Sequence, residues 1–347
     1  MCEKHIDTKI VRADDTDAIK EAAELIKKGA LVAFPTETVY GLGVNALLGD
    51  RVREVYKAKG RPSDNPLIIH LSDPEDAERY CYVNDDFRRI AERFMPGPIT
   101  VVLKKKDIIP FQVTGGLDTV ALRIPENRIA RMLISLSGVP IAAPSANLSG
   151  RPSTTSADHV ISDMFGRIDM IIDGGDCDIG LESTIVALVG NRKLKLLRPG
   201  GITPEMLREA GFCVEFDKAV TEKLSEGEVP AAPGMKYRHY APRSQVTLLD
   251  GDGSKRNEYL TRFKDDSSVA IVCFEEDKEL ANAKNSYVIG SMYDQKQQAH
   301  RLFALLRSFD DISDIKQIYA PLPDKSGIGL AIFNRMLKAS GYTVITL

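Results

Sequence analysis

Residues 18–34, which read AIKEAAELIKKGALVAF, place a helical pattern directly before a strand pattern. Apolar residues recur at helical spacing over 18–26, an N-cap candidate stands within 14–16, and Gly29 provides the stop. Residues 30–34 form a short, continuously apolar run, which is typical of a strand buried on both faces. The stretch therefore predicts an α/β fold.

The same alternation continues along the chain in two blocks. In the first block we expect helices over 52–58, 85–94, 128–136 and 204–210 and strands over 67–71, 99–103, 120–124, 140–143, 170–173, 183–189 and 194–197. In the second block we expect strands over 246–249, 269–274, 287–289 and 317–319 and helices over 258–263, 297–309 and 330–339. The first block predicts a mostly buried sheet of mixed strand direction, and the second a smaller α/β unit.

A length of 347 residues favours two domains joined by a linker. The alternation of helix and strand patterns stops after the first block. We therefore place a first, larger domain at 1–215, a linker at 216–243 and a small domain at 244–347. The linker is rich in proline, as spacers are, but it also carries Tyr237 and Tyr240, which a passive spacer would not need. It is either a lid over a site in the first domain or a flexible tether.

Composition excludes several classes of protein. Apolar residues make up 43% and charged residues 27%, as in globular proteins, and no apolar run reaches the ~18–20 residues of a membrane span. The first residues do not resemble a signal peptide, so we expect a cytoplasmic protein. The net charge of −3 argues against a broad nucleic-acid surface. The five cysteines form no CxxC pair and the five histidines show no HxxxH spacing, so no protein-built metal site is predicted.

The common nucleotide fingerprints are missing. There is no GxxxxGK[ST] loop, and Gly41 and Gly43 lack the third glycine of GxGxxG. The segment KAKGRPSDNPL (57–67) instead places Lys59, Arg61 and Ser63 on a stretch broken by glycine and proline. Cations of this kind suit phosphate oxygens, and the alternative is a solvated basic loop.

Small polar residues follow an apolar strand in the segment APSANLSGRPS (143–153). Open α/β sheets bind ligands at the carboxyl ends of their strands, so Ser145, Asn147 and Ser153 are candidate ligand contacts. The competing interpretation is ordinary turn chemistry, because serine and asparagine occur in turns generally.

Other candidates lie on or directly after strands. Arg123 stands near the end of an apolar strand, where either a bound anion or a structural salt bridge would be its partner. His70 is either a ligand or a satisfied core histidine, and Thr36 follows the strand at 30–34. The glycines of RPGG (198–201) let a backbone approach closely. No nucleophile set of the Ser/His/Asp or Cys/His type can be assembled, which weighs against a hydrolase.

Six segments in this order closely resemble the YrdC-like threonylcarbamoyl-AMP synthases: PTETVYGLG, KAKGRPSDNPL, VALRIP, APSANLSGRPS, ESTIV and LRPGG. The resemblance covers about residues 8–210, and APGMKYRHYAP (232–242) followed by a small α/β unit is similar to the long, two-domain form. It implies a YrdC-like twisted mixed sheet with flanking helices, followed by a smaller Rossmann-like domain.

The resemblance implies condensation of L-threonine, bicarbonate or CO2, and ATP into L-threonylcarbamoyladenylate, with release of pyrophosphate. The product feeds a tRNA threonylcarbamoyl transferase complex. Positioning and charge neutralisation dominate such a step, with Mg²⁺ carried on the ATP phosphates.

The resemblance also assigns residues by position. Those implied to act in catalysis are Lys59 and Arg61. Those implied to line the threonine pocket are Thr36, His70, Arg123, Ala143 (through its backbone) and Ser183. Those implied to bind ATP are Lys59, Ser63, Thr119, Ser145, Asn147, Ser153, Arg198 and Tyr240.

Two rival functions fit parts of the pattern. An RNA-binding or ribosome-assembly module would use the same basic loops, but the net charge and the small hydroxyl residues favour a small-molecule pocket. A carbamoyl transferase of the hydrogenase-maturation type shares this kind of domain but carries CxxC zinc motifs, which this sequence lacks.

Overall fold

The computed structural model describes residues 6–223, 232–233, 240–277 and 283–347. Their contacts divide them into two compact units. The first contains the described residues within 1–149, 153–178 and 182–236, and the second those within 150–152, 179–181 and 237–347. No helix of the described ranges is both long and apolar enough to cross a membrane.

The first unit is built on an eleven-stranded sheet in the order β1-β8-β2-β3-β7-β4-β6-β5-β9-β10-β11. Its strands are β1 Lys9–Arg12, β2 Val32–Phe34, β3 Gly41–Asn45, β4 Ile68–His70, β5 Ile99–Lys104, β6 Thr119–Arg123, β7 Ile141–Ala143, β8 Met170–Asp173, β9 Thr184–Gly190, β10 Lys193–Arg198 and β11 Cys213–Phe216. Its helices are α1 Thr16–Lys27, α2 Gly49–Lys59, α3 Ala77–Tyr80, α4 Asp85–Phe94, α5 Phe111–Thr114, α6 Arg128–Ser137, α7 Ala157–Met164 and α8 Pro204–Glu209.

Parallel and antiparallel pairs alternate irregularly in this sheet. For example, β4 pairs with β6 in parallel, whereas β5 pairs with β6 antiparallel. The predicted mixed sheet with flanking helices is therefore confirmed.

Local sequence explains where α1 begins and ends. The Asp15 carboxylate accepts hydrogen bonds from the backbone N–H groups of Asp17 and Ala18, which caps the first turn. Gly29 follows the helix with φ +86°, a conformation that favours glycine. The apolar face of α1 packs with α6 in one core cluster, so these helices cover one part of the sheet.

The second unit contains a five-stranded sheet in the order β14-β13-β15-β12-β16, with every pair parallel. Its strands are β12 Gln245–Asp250, β13 Val269–Phe274, β14 Ser286–Gly290, β15 Gln317–Pro321 and β16 Val344–Thr346. Its helices are α9 Gly253–Thr261, α10 Gln295–Ser308 and α11 Gly329–Ala339. This confirms the predicted smaller α/β unit.

The sequence patterns missed several strands. We assigned no strand to the segment that follows residues 30–34, but β3 begins there at Gly41. Phe34 explains why glycines stand there: a Cβ built on Gly43 would lie 2.8 Å from a carbon of the Phe34 ring. Strands β1, β11 and β16 were also missed, since each has only three or four residues and much of each is exposed.

Candidate active site

Strand register places a row of polar side chains across the middle of the first unit's sheet. Thr100 on β5 lies opposite Arg123 on β6, and Arg123 is aligned with His70 on β4. Directly paired residues of neighbouring strands point to the same face of a sheet. Ser183 comes immediately before β9 and hydrogen-bonds to Thr100, with 2.8 Å between the two hydroxyl oxygens. All four side chains are buried, so the row is a polar site inside an apolar sheet.

The guanidinium of Arg123 is held by the loop after β2. Its Nη2 donates to the Glu37 carboxylate at 2.6 Å, and its Nη1 donates to the Thr38 hydroxyl at 2.8 Å. Burial is the largest influence on the pKa of Glu37 and acts to raise it. The charge of Arg123, its hydrogen bond and backbone hydrogen bonds together outweigh burial, so the pKa lies below its ordinary value. Within the described residues the buried Nε of Arg123 has no hydrogen-bond partner. The salt-bridge alternative is therefore present, and the Nε–H group still has no protein acceptor among the described residues.

His70 is neutral in this site. Burial, followed by the nearby charge of Arg123, lowers the pKa of its imidazole to about 3. Its Nδ1 is also buried without a partner among the residues that the structure describes. A neutral imidazole offers one donor and one acceptor, so this ring can recognise a hydroxyl or an amine without adding charge.

The Thr36 hydroxyl is used within its own loop. Thr36 donates its hydroxyl proton to the Val39 carbonyl at 2.6 Å, so the Thr38 hydroxyl, which accepts from Arg123, donates to Thr36 at 2.9 Å. The Thr36 oxygen also accepts from the N–H groups of Thr38 and Val39. Thr36 therefore shapes the loop that holds Arg123, and its assignment to the threonine pocket stays a prediction.

Ser183 joins this row to Arg198, which ends β10. Arg198 donates from Nη2 to the Ser183 hydroxyl at 3.2 Å and from Nε to the Ser183 carbonyl at 3.1 Å. Its Nη1 also reaches the carbonyl of Pro233 at 3.4 Å. The Ser183 hydroxyl thus connects the row that holds the residues implied for threonine with Arg198, which is implied to bind ATP.

A second cluster lies around Lys59. Its ammonium donates to the carbonyl of Ser145 at 2.6 Å, to the carbonyl of Asn147, and to the Asn147 side-chain oxygen at 3.4 Å. The Ser145 hydroxyl donates to the same side-chain oxygen at 2.5 Å. Burial, followed by the charge of Arg61, places the pKa of Lys59 well below its ordinary value. The solvated-loop alternative is therefore wrong for Lys59, which is 2% exposed.

The remaining predicted residues are more dispersed. Ser153 donates to the Glu182 carboxylate at 2.6 Å, Ala143 ends β7 opposite Ile68, and Ser63 is exposed. Thr119 begins β6, four residues before Arg123, so the two lie about 13 Å apart along the strand.

The predicted ATP contact Tyr240 belongs to the second unit. There its ring stacks on Phe303 with 5.2 Å between centroids, and it has φ +65°. Tyr237 and residues 234–236, 238 and 239 of the proposed lid lie outside the described residues.

Sequence reasoning missed Glu37, Thr38, Thr100 and Glu182. Thr38 and Glu37 stand in the quoted segment PTETVYGLG, where the acidic residue beside two threonines was the available signal. Thr100 gave no signal, because its role depends on which strand lies beside β6. In the described part of the chain no three His, Cys, Asp or Glu side chains are grouped as metal ligands.

Comparison with known proteins extends over nearly the whole chain. Residues 24–200 match the family model described as "Telomere recombination", and residues 202–341 match the one described as "Threonylcarbamoyl-AMP synthase, C-terminal domain". The threonylcarbamoyl-AMP synthase of Pyrococcus abyssi is 43% identical over 332 residues, which cover 94% of this chain and 95% of that protein. That of Bacillus subtilis is 42% identical over 330 residues, covering 94% of each.

Solved structures give the same result. The crystal structure of Pyrococcus abyssi Sua5 complexed with L-threonine matches with a TM-score of 0.89 and 42% identity, covering 98% of this chain and 99% of that one. Both sequence and fold are therefore shared along both units, and the chain belongs to the threonylcarbamoyl-AMP synthase family in its two-domain form.

Proposed function

We propose that this enzyme is a nucleotidyltransferase that condenses L-threonine, bicarbonate or CO2, and ATP into L-threonylcarbamoyladenylate and releases pyrophosphate. The observation that carries the proposal is the buried polar row, in which Arg123 Nε and His70 Nδ1 have no partner among the described residues. Unpaired buried polar atoms cost about 1–3 kcal/mol each, so a ligand that satisfies them is strongly favoured. An amino acid with a carboxylate and a hydroxyl supplies the required groups.

Threonine would bind along this row. Its carboxylate accepts from Arg123 Nε, and its hydroxyl or amine hydrogen-bonds to His70, whose neutral ring adds no charge that would repel an ammonium group. Ser183 and the backbone of Ala143 complete the pocket, and Thr36 contributes through the loop that it shapes. Arg123 keeps its charge balanced by Glu37 when the pocket is empty.

ATP would bind on the side of Arg198 and Lys59. Three oxygens already accept from the Lys59 ammonium, so a phosphate oxygen would replace the longest contact, the one to the Asn147 side chain. Arg61 and Arg198 add charge that offsets the phosphates. The further nucleotide contacts that we propose are Ser63, Thr119, Ser145, Asn147, Ser153 and Tyr240.

The proposed chemistry requires no covalent protein nucleophile. The uncharged threonine amine attacks CO2, and loss of one N–H proton to solvent leaves a carbamate. A carbamate oxygen then attacks the α-phosphorus as pyrophosphate leaves. Cations placed around the phosphates stabilise the developing charge. Mg²⁺ would ride on the ATP phosphates and neutralise part of their charge, since the described residues supply no acidic cluster for it.

The adenylate is reactive toward water, so the product must be shielded and passed on. We propose that residues 232–242 act as a lid and that the product is consumed by a cytoplasmic tRNA threonylcarbamoyl transferase complex. Support for the lid comes from Ala232, which is fully buried in the first unit, and from Pro233, which accepts from Arg198.

Pyrophosphate release tests this function. The proposal predicts release from ATP only when L-threonine and bicarbonate are both present, with omission of either reducing it to background. Release without threonine or without bicarbonate would contradict it. RNA binding with no ATP turnover would favour the RNA-module alternative, and turnover with carbamoyl phosphate in place of both substrates would favour the carbamoyl transferase.

A further inference from the structure

The hydroxyls of Thr100 and Ser183 form a pair whose hydrogen bonds can be counted. Both side chains are completely buried, at 0% exposure, and their oxygens lie 2.8 Å apart. Besides each other, their hydroxyls have one partner in the described part of the chain, the Nη2 group of Arg198. A guanidinium can only donate, so Ser183 is the acceptor in that bond.

This arrangement leaves one hydroxyl proton without an acceptor among the described residues. Two hydroxyls carry two protons, and their mutual hydrogen bond uses one of them. Arg198 contributes a further donor and no acceptor. If Thr100 donates to Ser183, both lone pairs of the Ser183 oxygen are filled and its own proton must point elsewhere. If Ser183 donates to Thr100, the Thr100 proton is left over instead.

The position of the surplus proton indicates what would accept it. Thr100 is the direct cross-strand partner of Arg123, whose Nε is also a buried donor without a partner among the described residues. Two adjacent unpaired donors, one of them charged, match the two oxygens of a carboxylate. Among the described residues, neither hydroxyl donates to the Glu37 carboxylate or to a backbone carbonyl. Glu37 accepts from Arg123 Nη2 and from the N–H of Asn127.

We infer that Thr100 is a further residue of the threonine site: paired with Ser183, it directs one hydroxyl proton at the carboxylate that Arg123 binds. The inference rests on the proposed function, since the ligand is the amino acid of that reaction. Thr100 acts as a positioning residue when it donates to Ser183, because Arg198 and Thr100 together then fix the direction of the Ser183 O–H. It also links the ATP side to the threonine side through Arg198.

Direct titration of L-threonine by calorimetry tests this role in the full-length protein. Thr100→Val removes the hydroxyl and keeps the shape, so threonine should bind about 2- to 12-fold more weakly, the range of one net hydrogen bond. Thr100→Ser restores the hydroxyl and should bind within about 2-fold of the unsubstituted protein. Melting curves identify any variant that does not fold, and Thr100→Ala compared with Thr100→Ser then repeats the test with smaller side chains.

Thr8→Val is the matched control. Thr8 is also a buried threonine, but it donates to the Ile168 carbonyl and accepts from the Gly166 N–H, so the protein already accepts its hydroxyl proton. Its threonine affinity should not change. Equal affinity of Thr100→Val and the unsubstituted protein, or failure of Thr100→Ser to restore binding, overturns the role of Thr100 alone. Absence of threonine binding by the unsubstituted protein overturns the proposed function as well.

Discussion

Lys59 ends α2 as a fully enclosed cation, and three protein oxygens take up the donors of its ammonium group. Two of those oxygens are backbone carbonyls of residues 145 and 147, so the lysine ties the serine- and asparagine-rich loop to the end of the helix. A residue that looks solvated in a basic stretch of sequence thus has a structural role beside its proposed role at the phosphates.

Replacing Lys59 by alanine should therefore reduce both stability and turnover. The substitution leaves the carbonyls of Ser145 and Asn147 unpaired, at a cost of about 1–3 kcal/mol. A lower melting temperature and a pyrophosphate-release rate reduced by about 10²-fold or more are expected. Lys57→Ala is the control, because Lys57 is 71% exposed and forms only a surface pair with Glu54. Unchanged melting and turnover in Lys59→Ala would contradict this assignment.

His70 makes the stability of the protein depend on pH. Its pKa is about 3 in the folded chain, against 6.5 ordinarily, so the unfolded chain takes up the proton first as pH falls. This contribution to stability is complete above about pH 6.5 and declines toward pH 3, by up to about 1.4 kcal/mol per pH unit. His70→Gln removes the titration, so its unfolding free energy should fall less steeply below pH 6.5 and run parallel above pH 7. Urea unfolding from pH 4.5 to 8 measures this, and identical slopes for both proteins would exclude the buried neutral histidine.

The sequence was sufficient to nominate Arg123, because a cation on an apolar strand needs an anionic partner. It was not sufficient to identify Glu37 as that partner, since the two residues are 86 positions apart and meet only after the sheet forms. Thr100 could not be identified as a site residue from the sequence, for the same reason. Its position opposite Arg123 depends on the pairing of β5 with β6, which no local pattern specifies.

At the scale of elements, close backbone packing positions Ser183. A Cβ built on Gly200, in the loop after β10, would lie 2.3 Å from the backbone nitrogen of Thr184 and 2.6 Å from the carbonyl oxygen of Glu182. The glycines of RPGG were predicted to allow such an approach, and Gly200 confirms it. Strand β3, which the sequence patterns missed, differs from the RPGG loop. There Gly41 and Gly43 lie within a strand, and they allow close packing against the Phe34 ring.

Gly200→Ala should move the segment that carries Ser183, because backbone atoms cannot swing aside as a flexible side chain would. We expect a loss of stability of about 1–3 kcal/mol and weaker threonine binding. Gly253→Ala is the control, since a Cβ at this helix-starting glycine meets only the end of the Arg256 side chain at 3.8 Å. Chemical denaturation and threonine titration measure both effects. Wild-type behaviour of Gly200→Ala in both would show that this contact does not position the site.

At the scale of the whole molecule, the segment between the two α/β units does not act only as a spacer. Its described residues 232 and 233 make specific contacts with the first unit. Ala232 packs among Ile68, Ala121 and Leu197 of the first unit, and Pro233 accepts from Arg198. The prolines and aromatic residues predicted the linker. They did not predict that Ala232 is buried, because an alanine in a sequence does not indicate which surface it will contact.

Ala232→Asp tests whether this docking supports nucleotide binding. A carboxylate cannot be accommodated in the apolar cluster, so the segment should detach and Arg198 should lose its contact with Pro233. A lid predicts weaker ATP binding and a shorter lifetime of the adenylate. Thr221→Asp places the same charge at an exposed linker position, before the docked residues, and should change neither. Unchanged ATP affinity and adenylate lifetime in Ala232→Asp would support a simple tether.

The central claim is that one active site joins threonine, CO2 and the AMP part of ATP. Mass spectrometry of the product formed with ¹³C-bicarbonate tests it most directly. We predict a single species that contains threonine, one ¹³C carbonyl carbon and AMP, formed in step with pyrophosphate and missing when threonine is left out. An unlabelled product, or pyrophosphate formed without any species that carries both threonine and the label, would contradict the proposed reaction.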